Sequence, residues 1–131
     1  MRTPNATPEN LAALSGKIVV TPRTGPLAAF IQKNAPSVKL VITTDYEEGL
    51  ARLVKGEADA AALGFHVGVR IAARLYPSQV MEPRSMFTEL PFAVAVSKGR
   101  EAEFLARLNA GLAEIRTDGT WQQINNRWMG N

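Results

Sequence analysis

The chain has 131 residues, the size of one domain with one core, and its 46% apolar and 21% charged content is that of an ordinary globular chain, which excludes global disorder. Fifteen Lys and Arg against twelve Asp and Glu give a net charge of +3, but the cations are scattered from Arg2 to Arg127, without the clustering on one face that a nucleic-acid surface needs. Cysteine is absent, which removes disulfides, thiolate chemistry and thiolate metal sites together, and no apolar run approaches the roughly 20 residues of a membrane-spanning helix.

Residues 1–10 carry two prolines and no apolar stretch, so they are expected to be a flexible N-terminal segment and not a signal peptide. Targeting information for an exported protein would then lie outside this chain. Ile18 to Thr21 is β-branched, bounded by Ser15-Gly16 and Pro22, and predicts a short buried strand. A helix is predicted from Pro26 to Asn34, with Leu27, Phe30 and Ile31 on one face and Pro36 ending it. Val38 to Thr43 is the second strand. Asp45 followed by Glu48 matches a capping box, and Tyr46, Leu50, Leu53 and Val54 form the apolar face of a helix that runs to Lys55 and stops at Gly56.

Ala58 to Leu63 suits a central parallel strand, with side chains small enough for helices to pack above and below. Gly64 to Leu75 is a third helix candidate, weakened by Gly64 and Gly68. Ser78 to Met86 and Leu90 to Val96 are expected as the fourth and fifth strands, before two terminal helices separated at Asp118-Gly119. The alternation predicts an α/β fold with a mostly parallel, five-stranded mixed sheet and helices on both faces.

Ligands of open α/β sheets bind off the carboxyl ends of the strands, where helix N-termini point N–H groups outward. The loops there are Thr21–Gly25, Thr43–Tyr46 and Leu63–His66. In the first, the Thr24 hydroxyl, the close backbone approach at Gly25 and the Arg23 guanidinium suit a carboxylate or phosphate. A helix-capping Thr24 with a solvated Arg23 explains the same residues equally well. His66 is the single histidine, which excludes a histidine metal cluster, and with no Gly-x-Ser-x-Gly elbow it reads as a packed or surface residue. Asp45, Glu47 and Glu48 are accounted for by the helix start. Asp59 falls at the amino end of its strand, away from a site, and Trp121, Ile124 and Trp128 share a face expected to pack as core.

Three segments together resemble the periplasmic solute-binding proteins of the amino-acid-binding type, a family of two-lobed clamps. They are Leu14-Ser15-Gly16-Lys17 entering a strand, Tyr46–Leu53 followed by Gly56-Glu57-Ala58-Asp59-Ala60, and the strand, basic turn, long helix and Trp-bearing helix of residues 90–130. The resemblance implies a second-lobe-like part at 11–89 and the strand and helices of a return segment at 90–131, together one α/β lobe. It carries a ligand contact to Thr24. The aspartate that holds a ligand's α-amine in that family falls at Gly64, so the ligand would differ in class, or the domain would not bind it directly. The candidate binding set is Thr24, Arg23, Gly25, Gly64 and Phe65, with no catalytic residue, metal or cofactor.

The family implies an extracytoplasmic, periplasmic domain that binds an amino acid or related small carboxylate-bearing ligand for an ABC-transport system and its membrane permease. The alternative is the sensor module of a membrane signalling receptor, with its signalling partner. A dehydratase or lytic relative is third. Pro91 to Val96 is expected to fill a vacant sheet position, in its own chain or swapped into a second copy, and a homodimer is expected.

Overall fold

The computed structural model describes residues 10–90, 93–99 and 101–129. The expected flexible segment 1–10 therefore lies outside the described residues except for Asn10, whose Oδ1 accepts from the Ala13 N–H at 3.0 Å and caps a short turn at Leu11–Leu14.

Three strands follow one another through helices: β1 (Ile18–Pro22), α1 (Leu27–Asn34), β2 (Lys39–Thr43), α2 (Tyr46–Lys55), β3 (Ala60–Ala61) and α3 (Phe65–Leu75). The sheet is parallel in the order β2-β1-β3, with Val20 opposite both Val41 and Ala61. Each strand-to-strand step is carried by a helix, as parallel pairing requires. The alternation along β1 and β3 sorts the core into two layers. On one face Val19, Ala60 and Ala62 meet Ile31 of α1 and Ala35 just after it, together with Leu14 and Val38. On the other, Ala61 and Leu63 meet Leu50 and Leu53 of α2 and Ala72 of α3. Helices thus cover both faces, and this α/β architecture is the one expected.

Among the described residues the sheet has three strands, and their order differs from expectation. β1, not the alanine-rich strand, is central, and the β3 ladder is two residues long. Hydrogen bonds extend β3 at each end, from Asp59 N–H to the Ile18 carbonyl and from Ala62 N–H to the Val20 carbonyl, both 2.8 Å. Asp59 also accepts from the Ile18 N–H at 2.9 Å, locking the amino ends of β1 and β3 together. Small side chains let helices pack closely, but they do not make a strand central; the crossover of α2 past β1 places β3 at the edge.

The expected strand at Ser78–Met86 is irregular apart from one bridge residue, Val80, which packs under α2 and α3. Ser78 has φ +62, a turn conformation incompatible with an extended run. Phe87 then stacks on Phe30 of α1 with ring centroids 5.9 Å apart. Of the expected fifth strand, Leu90 and residues 93–96 are irregular, while Pro91 and Phe92 lie outside the described residues. An apolar run becomes a strand only with a ladder partner, and Val94 stays 60% exposed.

The contacts divide the chain into two compact units between Glu89 and Leu90. The second contains α4 (Glu101–Thr117) and α5 (Thr120–Met129). Gly119, at φ +88, makes the turn, and Asp118 Oδ1 accepts from the Thr120 N–H at 2.8 Å to start α5. Trp121, Ile124 and Trp128, expected as core, are exposed, and α5 buries no residue.

Candidate functional site

The three helices that leave the carboxyl edge of the sheet start in different ways. At α2, Asp45 is extended and its Oδ1 accepts from the Glu48 N–H at 2.8 Å, while Glu48 Oε2 accepts from the Thr44 N–H at 2.7 Å. The Asp45 half is the capping box read from the sequence, while Glu48 reaches one residue further back, to Thr44 instead of the N-cap N–H. The hydrogen bond from the Thr44 backbone, joined by the Arg52 guanidinium at 2.9 Å, holds the Glu48 carboxyl below the usual glutamate range. The start of α2 is closed by its own side chains.

At α1 and α3 the starts are open. Pro26 precedes α1 and Gly64 precedes α3, and neither helix has a side-chain cap. Proline has no cap to offer, and the Thr24 hydroxyl has no hydrogen-bond partner among the described residues, so Thr24 does not serve as the cap. The first-turn N–H groups of both helices thus lack a side-chain cap, and the positive end of each helix dipole lies at this edge of the sheet. These two helices leave neighbouring strands. β1 leads to β2 on one side and α2 returns past it to β3 on the other, so the crevice between the ends of β1 and β3 is the switch point of the sheet.

The structure places Arg23, Thr24 and Gly25 at the β1 side of this crevice and Gly64 and Phe65 at its β3 side. The Arg23 N–H donates to the Thr43 carbonyl at 2.9 Å, which fixes where the first loop leaves the sheet. Arg23 and Thr24 are exposed, and among the described residues the guanidinium has no ion-pair partner. Gly25 has φ +97, a conformation that side chains resist, so this bend requires glycine. Phe65 is half-buried with its ring edge-on to His66, centroids 5.4 Å apart.

The two glycines thought to weaken α3 are contact positions. A Cβ on Gly68 would stand 2.9 Å from the Leu63 Cβ, so glycine lets α3 sit down on the end of β3. A Cβ on Gly64 would stand 2.9 Å from Tyr46 Oη, which accepts from the Gly64 N–H at 3.2 Å. Tyr46 thus reaches the crevice from the start of α2. Its place in an apolar helix face hid this role; the available signal was a tyrosine directly after a strand's carboxyl end, where its hydroxyl needs a polar partner.

A family model described as bacterial extracellular solute-binding proteins, family 3, matches residues 11–131. The chain is 26% identical over 99 residues to the ABC transporter glutamine-binding protein GlnH of Bacillus subtilis (strain 168), covering 76% of this chain and 35% of that protein. An ancestral arginine-binding protein bound to arginine matches with a TM-score of 0.80 at 26% identity, over 98% of this chain and 57% of that one. The periplasmic VFT2 domain of Bordetella pertussis BvgS shares the fold at 20% identity and a TM-score of 0.54, over 60% of this chain and 33% of that one. The chain thus spans about a third of the GlnH relative and a little over half of the ancestral protein.

Proposed function

The chain belongs to the bacterial extracellular solute-binding proteins, family 3, and from that premise we propose that it provides one lobe's binding surface for a small carboxylate-bearing ligand, an amino acid or a related anion. The observation that carries this reading is the pair of open helix starts on neighbouring strands β1 and β3, beside a third start, that of α2, closed by its own cap. A ligand carboxylate over α1 meets free N–H groups, the Thr24 hydroxyl as a donor and Arg23 as a fork-shaped counter-charge. Gly25 lets the ligand approach the backbone. The arrangement holds an anion in place and does no bond chemistry.

The setting we propose is periplasmic, with delivery to a membrane permease of an ABC system; its support is the likeness to GlnH and the family's extracellular character. For the sensor alternative the BvgS domain offers a likeness of fold alone, at 20% identity. We also propose that the chain pairs with a second copy through the exposed apolar face of α5.

Isothermal calorimetry with small carboxylates tests the site. Hydrogen bonds to charged groups are worth roughly 1.5–3 kcal/mol, so Thr24→Ala and Arg23→Ala are each expected to weaken binding about ten- to a hundredfold. Unchanged affinity in both variants contradicts the proposal.

A further inference from the structure

We infer that Tyr46 sets the ligand class of this crevice, excluding ligands with a protonated amine beside the carboxylate and favouring anions such as 2-oxo acids and plain dicarboxylic acids. This rests on the binding reading above and narrows it.

Tyr46 is the first residue of α2, yet its oxygen meets the backbone that opens α3. That oxygen accepts from the Gly64 N–H at 3.2 Å, and among the described residues the phenolic O–H has no acceptor, so it is available to a ligand as a donor. The same oxygen crowds position 64, because a Cβ there would lie 2.9 Å from it and the tyrosine tip would have to shift. An acidic side chain at 64 would therefore displace the tyrosine oxygen from the Gly64 N–H.

The rest of the crevice has the same polarity. The loops at 22–26 and 62–66 contain Arg23 and no Asp or Glu. The acids of α2 are engaged elsewhere: Asp45 caps the helix, Glu47 pairs with Arg74 at 3.0 Å, and Glu48 pairs with Arg52. A carboxylate finds donors and a cation here. A neighbouring ammonium finds the same donors and the same positive charge, with no carboxylate on these two loops to compensate its desolvation.

Three probes with one carbon skeleton, glutarate, 2-oxoglutarate and L-glutamate, separate the terms by calorimetry on the whole chain. The wild-type chain is expected to bind the first two at least tenfold more tightly than L-glutamate. Tyr46→Phe is expected to weaken them about three- to tenfold and L-glutamate less. Removing the hydroxyl leaves the Gly64 Cβ position an ordinary 4.0 Å from the ring carbon, so Tyr46→Phe combined with Gly64→Asp is expected to reverse the preference towards L-glutamate. Tighter wild-type binding of L-glutamate, or an unchanged profile in Tyr46→Phe, overturns the role of Tyr46 and leaves the carboxylate site standing. No binding of any probe by the wild-type chain overturns the carboxylate site and this inference together.

Discussion

The Thr21 hydroxyl, fully buried at the carboxyl end of β1, donates to the Ala62 carbonyl of the segment after β3 at 2.9 Å. This side-chain bond joins the two strand ends from which the open helix starts leave, beyond the point where their ladder stops. Thr21→Val keeps the shape and removes the donor, leaving a buried carbonyl with one partner fewer. A loss of about 1–2 kcal/mol in urea unfolding is expected, with ligand affinity lowered although residue 21 touches no ligand. Unchanged stability would show that the bond contributes nothing net.

Leu53 is fully buried between the sheet and α3. Leu53→Ala is expected to cost about 2–5 kcal/mol, the range for a leucine truncated in a packed core. Denaturant melts followed by circular dichroism measure it, and a cost under about 1 kcal/mol would mean that this layer collapses around the cavity.

Glu48 ties the start of α2 through Thr44 and Arg52, and its folded pKa lies below its unfolded value. The stabilisation is therefore complete above the unfolded glutamate pKa, about 4.3, and is lost as pH falls through the lower folded value. Glu48→Gln is expected to flatten the part of the acid melting curve below about pH 4.5 while leaving the alkaline limb unchanged. An identical acid limb in the variant contradicts this assignment.

Much of the fold was legible because its signals are local. The capping box at Asp45 and Glu48 and the stop at Gly56 with φ +81 each specify a helix end with no distant partner. The strands expected at 78–86 and 90–96 were not legible, because pairing depends on an available sheet edge and apolar pattern alone does not report one. The crevice was half legible. Its position follows from strand and helix alternation, while the contact of Tyr46 with Gly64 spans 18 residues and exists only after α2 has crossed β1.

The exposed side chains of Trp121, Ile124 and Trp128 on α5 lead to an expectation of self-association. Light scattering at micromolar concentration is expected to report twice the monomer mass, and Trp121→Ser with Trp128→Ser to return it to one. A single-chain mass for the unaltered protein contradicts the proposed pairing.

The most direct test of the carboxylate crevice is the backbone amide spectrum of the chain titrated with 2-oxoglutarate. The largest shifts are expected at residues 24–28 and 64–67, the open starts of α1 and α3, with Glu47, Glu48 and Gly49 at the closed start of α2 nearly still. Shifts centred on the start of α2, or spread evenly over the surface, would contradict a site between the ends of β1 and β3.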